Sequence, residues 1–395
     1  MSVSLAEVLR YFGLAYLREH DLSRAQARAW RAILACRTAA LGGARLHCEG
    51  CGASQWRWRS CRNRHCPVCQ KQAQDAWRSA RMAELLNVPY THMVFTPPHE
   101  LNALARSQPR WVYETLLRTV AQTLTEFSVN QRWLGGTPAF SLVLHTWTQD
   151  LRLHVHAHAL ISAGALDDQG QWVEPKRNRR FLFPVAALSK VFAGKFCAQL
   201  RTAEQGGTLK RDALQTTARQ RLQRERALRT KNWVVYAKTP MAGPAQVLDY
   251  LSRYTHRTAI SAQRIVRIDE QRVWLSVRAN EGGGKRVITM PGEQFIGRFV
   301  QHVLPSGFKR IRHYGLLSAA RKSQALAQAR CALSMPVANP VAREQAAQFM
   351  RRIAQIDIDF CPKCHLRWTI TAFAPTGQTH SDSRRRRSDL MAQAP

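Results

Sequence analysis

Five cysteines fall within 22 residues near the N-terminus of this 395-residue chain. They include two C-x2-C pairs with fourteen residues between them. Two such pairs separated by a loop supply the four thiolates that Zn²⁺ prefers in a tetrahedral structural site. The spacing therefore predicts a structural zinc site in this region. Its expected ligands are Cys48, Cys51, Cys66 and Cys69, with Cys61 and His65 as spare candidates.

The other five cysteines lie elsewhere in the chain. Cys361 and Cys364 form another C-x2-C pair, and the sequence leaves open whether they are a half-site or a full site completed by His365 or Cys331. We interpret the scattered cysteines as small buried side chains. These are Cys36, Cys197 and Cys331.

The charge of the chain indicates a polyanionic partner. Lys and Arg number 59 against 26 Asp and Glu, which gives a net charge of +33. Such a chain repels itself unless phosphates offset the charge, so nucleic acid is the expected partner and an anionic membrane surface the weaker alternative. The cysteine-rich segment 45–81 is itself basic and carries Trp56 and Trp58, which either stack on bases or cover the metal.

Membrane insertion and secretion are not expected. No apolar run approaches the ~20 residues that a membrane-spanning helix needs. The first residues also lack the pattern of a secretory signal, so we expect a cytoplasmic protein.

The order of helical and strand patterns predicts an α+β fold. Helices are expected within 4–41 and 68–86, and a helix over 99–127 that is interrupted at Pro109. Two apolar runs separated by a few polar residues predict a β-hairpin. The expected strands are 90–96, 139–147, 153–162, 233–238, 258–268, 271–279 and 285–290, with helices at 292–302 and 315–333.

Three histidines alternate along one predicted strand. Because side chains alternate between the two faces of a strand, His154, His156 and His158 share one face. Imidazoles two residues apart on a rigid strand can bind one divalent ion and leave positions free for a substrate oxygen. We therefore predict a catalytic metal site on this strand.

Two tyrosines lie one helical turn apart downstream of the histidines. Tyr250 and Tyr254 share a helix face, and Arg253 and Arg257 lie beside them. A tyrosine oxygen can attack phosphorus and keep the bond energy in a covalent phosphotyrosine. This pattern predicts two nucleophiles next to phosphate-binding guanidinium groups.

These motifs together resemble the HUH class of single-strand DNA nucleases, and more narrowly the rolling-circle transposases of the insertion-sequence-91 type. The matching elements occur in the family's order and cover roughly residues 25 to 318. They are Cys61-Arg-Asn-Arg-His-Cys-Pro-Val-Cys-Gln70, His154-Val-His-Ala-His158, Tyr250-Leu-Ser-Arg-Tyr254-Thr-His-Arg-Thr-Ala-Ile-Ser261 and the segment from His302 to Gly315. Val155 stands where the family has proline, a mild change for a strand.

The resemblance assigns roles and a fold. It implies that His156 and His158 are the metal-binding pair, with His154 as an accessory. Gln246, one helical turn before Tyr250, is the candidate for the third ligand. It also implies a ferredoxin-like nuclease core, with the basic segment 176–231 as a helical insertion outside it. The predicted division is 1–88 for a helical, zinc-binding and DNA-binding domain, 89–320 for the nuclease-transposase domain, and 321–395 for a helical C-terminal region with a disordered basic tail.

The function implied is nicking and joining of single-stranded DNA through a 5′-phosphotyrosine in rolling-circle transposition. Mg²⁺ or Mn²⁺ on the histidines and structural Zn²⁺ on the cysteines are the expected metals. The expected partners are single-stranded DNA at the element ends, target DNA and the host replication machinery. The expected DNA contacts are Arg62, Arg64, Arg253 and Arg257. A replication initiator or relaxase, or a non-enzymatic zinc-dependent regulator, remains the alternative.

Overall fold

The structure is a computed structural model that describes residues 3–176, 182–209, 217–231, 233–238, 259–279, 283–337 and 344–375. The predicted tyrosine helix, with Gln246, Tyr250, Arg253, Tyr254 and Arg257, lies outside the described residues. The predicted basic tail after residue 375 lies outside them as well.

Two helices open the chain, and each begins at a serine. The Ser4 and Ser23 hydroxyls accept hydrogen bonds from the backbone three residues on, where Glu7 and Gln26 side chains accept from the serine N–H in return. These reciprocal caps satisfy backbone donors that a helix start leaves free, and the first was predicted. A β-hairpin and a third helix follow. The bounds are α1 Leu5–Glu19, α2 Arg24–Ala35, β1 Gly43–His47, β2 Ser54–Trp58 and α3 Lys71–Met82.

The next segments build an antiparallel sheet with long helices on one face. Pro109 is the first residue of a 21-residue helix, where its missing N–H costs no hydrogen bond, so it divides the predicted 99–127 helix in two. The bounds are β3 Tyr90–Thr96, α4 Asn102–Ser107, α5 Pro109–Val129, β4 Ala139–Trp147, β5 Leu153–Ser162, β6 Ala165–Leu166, β7 Trp172–Val173, α6 Val185–Gln205, α7 Ala218–Thr230 and β8 Val234–Ala237.

Four of these strands have the ferredoxin-like order. They lie side by side as β4, β5, β3 and β8, and each neighbouring pair is antiparallel. The connection from β3 through α5 to β4 passes over β5, and the connection from β5 through α6 to β8 passes over β3. This is the split βαβ arrangement, so the predicted α+β fold class is confirmed.

The two faces of the sheet differ in composition. Met93 and Phe95 of β3 and Ala157 and Ala159 of β5 point into the main apolar core, which the helices α5 and α6 cover. The neighbouring positions on the same strands point to the opposite face, and that face carries the histidines. Helix packing on one side therefore fixes the position of the histidine strand.

The basic segment 176–231 was expected outside the core, and this expectation is wrong for α6. Phe192 and Phe196 are fully buried against Trp233 in the main core, with ring centroids 5.0 and 5.2 Å from the indole. The count of basic residues over the whole segment concealed the apolar face of this one helix. The helix α6, which connects β5 to β8, therefore belongs to the ferredoxin-like core although it lies within the segment predicted as an insertion.

The remainder of the chain packs against α1, extends the central sheet and pairs with the N-terminal hairpin. A meander of three strands and a helix packs against α1, where Phe12 and Phe295 share a second apolar core. The next strand pairs with β4 and extends the central sheet. The sequence patterns did not predict this strand. The bounds are β9 Ile265–Ile268, β10 Arg272–Arg278, β11 Lys285–Pro291, α8 Gly292–Val300, β12 Ile311–Gly315, α9 Lys322–Ala332, α10 Ala346–Ala354 and β13 Thr369–Ala374.

The last strand returns to the N-terminal hairpin. β13 pairs antiparallel with β1, so that β13, β1 and β2 form a three-stranded sheet from the two ends of the described chain. Strands from residues near 45 and near 370 are thus direct neighbours. Among the described residues, no helix has the length and apolarity to cross a membrane. The predicted domain boundaries stay predictions.

Candidate metal centres and nucleic-acid surface

Three buried histidines meet on the face of the central sheet that lies opposite the helices α5 and α6. His156 and His158 lie on β5, and His145 lies on β4 directly opposite His156 in the pairing register. One ring nitrogen from each lies within 4.8 Å of the others. A hairpin of two central strands thus supplies all three imidazoles, which we call the histidine cluster.

Hydrogen bonds set the orientation of these rings. His156 Nδ1 lies 2.9 Å from the backbone carbonyl oxygen of His154, a contact in which the ring donates, so its Nε2 retains the lone pair. His158 Nε2 lies 3.0 Å from His145 Nδ1. On its other side, His158 Nδ1 lies 2.9 Å from His92 Nε2 of β3. His92 therefore orients a cluster member without belonging to the cluster.

Two members of the cluster, His156 and His158, are neutral at pH 7. Burial, with a smaller contribution from neighbouring imidazoles, lowers the pKa of each to about 3. Burial also lowers the pKa of His92 to about 3. A neutral imidazole is the form that binds a metal ion.

The donor set fits a divalent cation. Two adjacent ligands of an octahedral ion at about 2.1 Å are about 3.0 Å apart, which matches the His158 to His145 nitrogen separation. A sheet holds the donors rigidly from one side and leaves the other side of the ion for oxygen ligands. The three donors therefore share one side of a candidate site whose histidines are all buried.

The structure changes the predicted ligand set. His154 is exposed at the end of β5 and is not in the cluster, because the β4–β5 register shifts between His145 and Trp147. Sequence reasoning missed His145 and His92. Each is a single histidine on an apolar strand, and only the strand pairing shows that both approach His158.

The predicted DNA contacts divide into two groups. Arg62 is exposed. Arg64, although also exposed, donates to the backbone carbonyls of Phe308 and Pro305 at 2.6 and 3.0 Å, so it attaches the cysteine-rich segment to the core. Arg253 and Arg257 lie outside the described residues.

The first cysteine cluster adjoins the second apolar core. Its Sγ atoms lie within 4.8 Å of one another, and Cys61 Sγ is 3.7 Å from Cys69 Sγ. Hydrogen bonds from Cys61 and Cys66 lower the pKa of Cys36 to about 7, which favours a thiolate. The members are Cys36, Cys61, Cys66 and Cys69.

The predicted single zinc site is therefore corrected. Cys48 and Cys51 lie apart from Cys66 and Cys69, and they meet a second pair from the C-terminal region. Cys36 was interpreted as a lone buried side chain but is the fourth member of the first cluster. Cys197 is buried as expected, whereas Cys331 is exposed. The two pairs were expected to face each other across one loop, but that loop contains β2, which separates them.

Two tryptophans stack on the surface of the small terminal sheet. The rings of Trp56 and Trp58 on β2 are parallel within 3° and their centroids are 4.8 Å apart. Trp56 remains 41% exposed. In the β1–β2 register, Arg45 lies directly opposite Trp56 and shares its face. This face therefore presents flat aromatic and cationic groups to solvent.

The sheet core, the histidine cluster and the cysteine clusters define an α+β protein with three candidate metal sites among the described residues, and comparisons identify its family. A family model described as "Putative transposase" matches residues 139–324, and one described as "Transposase zinc-binding domain" matches residues 8–97. The chain belongs to the transposase family of the insertion-sequence-91 type. The zinc-binding domain and the cysteine clusters support a structural role for Zn²⁺.

Two relatives cover most of the chain. It is 41% identical over 378 residues to "Putative transposase y4qJ" of Sinorhizobium fredii, covering 93% of this chain and 94% of that protein. It is 26% identical over 351 residues to "Transposase for insertion sequence element IS801" of Pseudomonas savastanoi pv. phaseolicola, covering 86% and 82% respectively. No solved structure matches the chain.

Proposed function

We propose that this transposase nicks and joins single-stranded DNA through a 5′-phosphotyrosine intermediate in rolling-circle transposition. The observation that carries the proposal is the histidine cluster on the face of a ferredoxin-like sheet that lies opposite α5 and α6. The two-tyrosine motif follows β8 in the sequence, and β8 is an edge strand of that sheet.

The proposed chemistry conserves the energy of the phosphodiester bond. The oxygen of Tyr250 or Tyr254 forms a bond to phosphorus as the bond from phosphorus to the 3′ oxygen breaks. The phenolic proton passes to the departing oxygen by way of solvent, and a free 3′-hydroxyl results. Attack of another 3′-hydroxyl on the phosphotyrosine then releases the tyrosine and joins the strands.

The histidine cluster positions the scissile phosphate in this scheme. His145, His156 and His158 would hold Mg²⁺ or Mn²⁺, which supplies polarisation of the phosphate and offsets its charge in the transition state. His156 keeps Nε2 directed outward because its Nδ1 donates to the strand backbone. His92 holds the ring of His158 in the same way from β3.

A single-stranded substrate agrees with the surface of the terminal sheet. Stacking on aromatic rings requires bases that are not paired, and Trp56 with Trp58 offers a preassembled stack. Arg45 on the same face can contact the backbone phosphates. The stacking interpretation is favoured over metal covering because Trp56 is exposed. Host replication proteins would extend the free 3′-hydroxyl.

The test is adduct formation with labelled single-stranded oligonucleotides that tile both flanks of the coding region, in the presence of Mg²⁺ or Mn²⁺. We expect a covalent band on denaturing gels that carries a 3′ label, while a 5′ label leaves with the released fragment. The Tyr250→Phe, Tyr254→Phe double variant keeps both rings and should form no band.

Three results would contradict the proposal. A band that persists in the double variant would place the nucleophile elsewhere. Binding without any band, for every oligonucleotide and both ions, would favour a non-enzymatic regulator. Cleavage without joining of an element end to target DNA would favour a replication initiator or relaxase.

A further inference from the structure

The structure brings a cysteine pair from each end of the chain together. Cys48 Sγ lies 3.2 Å from Cys364 Sγ, and Cys51 Sγ lies 3.6 Å from Cys361 Sγ. All four Sγ atoms lie within 4.8 Å of one another. Thiolates around a tetrahedral zinc ion, with Zn–S near 2.3 Å, are about 3.8 Å apart. The cluster thus has the dimensions of a tetrathiolate site.

The two pairs have the same backbone conformation. Cys48 N donates to the carbonyl oxygen of Ala53, five residues on, at 2.9 Å, and Gly52 N donates back to the carbonyl oxygen of Cys48 at 2.9 Å. Cys361 N and Leu366 O repeat the first contact at 2.8 Å, and the N–H of His365 repeats the second at 2.9 Å. Both turns present their thiols in the same way.

Both turns also contain a left-handed residue at the same position. Gly52 has φ +69°, and His365, four residues after Cys361, has φ +59°. This region favours glycine and is entered less often by other residues, so its occurrence at the same position in both turns shows that the two pairs share one backbone conformation. A ligand shared by the thiols would hold both turns at once.

The terminal sheet has little apolar packing of its own. Along β13 five of six residues are exposed, and Ile370 and Phe373 are 53% and 69% exposed. Neither β2 nor β13 contributes a described residue to the three buried apolar clusters. A sheet this small needs a further source of folding free energy, and a structural metal is a common one.

We propose that Cys48, Cys51, Cys361 and Cys364 bind a second structural zinc ion, separate from the ion on the first cysteine cluster. The two turns with β1, β2 and β13 then form one zinc ribbon assembled from both ends of the chain, which we call the split ribbon. Four thiolates leave no open position, so the ion is structural. Cys361 and Cys364 lie beyond both segments that the family models match.

The test is the zinc content of the purified full-length chain. We expect two zinc ions per polypeptide and one in the Cys361→Ser, Cys364→Ser variant. The Cys48→Ser, Cys51→Ser variant should also retain one, and all four changes combined should still retain one, because both pairs hold the same ion. Cys331→Ser, at an exposed cysteine outside the clusters, is the matched control and should retain two.

A second measurement does not depend on the folding of the variants. Stepwise chelation of the wild-type protein, followed by hydrogen exchange, should remove protection from residues 43–58 and 361–374 in the same step. One zinc per wild-type chain would overturn the proposal, as would two zinc ions in the Cys361→Ser, Cys364→Ser variant. A disulfide between the pairs in protein purified without oxygen would overturn it too. Each readout is independent of DNA cleavage.

Discussion

The histidine cluster and the split ribbon are assembled in opposite ways. The three histidines lie on two neighbouring strands of one hairpin, within the residues 139–162, and a helix-covered sheet holds them. The two cysteine pairs of the split ribbon are more than 300 residues apart in the sequence. They adjoin a small sheet with little apolar packing of its own. The fold therefore positions the histidines, whereas a bound ion is expected to position the ribbon.

This difference predicts what removal of a ligand does in each region. Loss of a histidine should leave the sheet intact, because the main apolar core lies on the other face. Loss of a ribbon cysteine should release the terminal sheet. The cysteine variants described above test the ribbon. Changes to the histidines, to the core beneath them and to the ribbon surface test the rest of the contrast, from the largest expected effect to the smallest.

His145→Ala should abolish divalent-dependent cleavage with little change in folding. A catalytic cation contributes several kcal/mol to transition-state stabilisation, so losing it should lower the cleavage rate by about 1000-fold. The measurement is single-turnover cleavage of the labelled oligonucleotides, with thermal unfolding recorded in parallel. His154→Ala, at the exposed strand end, is the control and should change the rate by about twofold or less. Equal losses in the two variants would remove His145 from the site.

Phe192→Ala should strongly destabilise the core under the histidine strand. The side chain is fully buried against Phe95 and Trp233, and truncating a buried phenylalanine costs about 3–5 kcal/mol of the free energy of unfolding. Lys190→Ala, at an exposed position of the same helix, should cost less than about 0.5 kcal/mol. Denaturant unfolding compares the two. Similarly small losses in the free energy of unfolding of both variants would indicate that α6 is a peripheral insertion.

Much of the central fold could be predicted from the sequence because its signals are local. The segments 90–96, 139–147 and 153–162 are short, largely apolar runs, and the structure has strands at those bounds that are buried on both faces. β12 was missed because the segment 311–315 is only half-buried and shows no apolar alternation. The helix α6 was misplaced because charge was averaged along the sequence rather than around the helix.

The candidate sites were predictable only as far as their ligands are close in sequence. His156 and His158 are two residues apart, so strand geometry alone puts them together. His145 requires the register of the hairpin, which no spacing rule gives. The pairing of Cys48 with Cys364 and of Cys36 with Cys69 requires the tertiary fold. Two C-x2-C pairs that are near each other in the sequence suggested a single zinc site, because a short loop more often joins the two halves of such a site.

His92→Ala should have a smaller effect than removal of a cluster member. Its Nε2 holds the ring of His158, and loss of such an orienting contact typically costs 10–100-fold in metal affinity or activity. Because the role is positional, the loss should appear as a higher requirement for Mn²⁺ and should be reversed in part at saturating metal. His92→Gln, which can still offer a hydrogen bond, should recover part of the affinity. A loss that no metal concentration reduces would argue for a direct catalytic role instead.

Trp56→Ala tests the surface of the split ribbon, where we expect the smallest effect. Stacking of one base on an aromatic ring contributes about 1–3 kcal/mol, so affinity for single-stranded DNA should fall by about tenfold while zinc content stays the same. Trp56→Phe keeps an aromatic face and should retain most of the affinity. Phe373→Ala is the control, because Phe373 is an exposed aromatic residue on the opposite face of the same sheet.

The salt dependence of binding separates stacking from charge. Trp56→Ala should lower affinity by the same factor at every salt concentration, whereas Arg45→Ala should reduce the slope of log affinity against log salt by about one phosphate contact. Double-stranded DNA should show little loss from Trp56→Ala, since paired bases cannot stack on the ring. An equal loss on double-stranded DNA, or from Phe373→Ala, would mean that the tryptophan pair stabilises the ribbon rather than contacting the substrate. The split ribbon would then still differ from the histidine cluster in what holds it together, but its tryptophans would not form a separate surface for binding DNA.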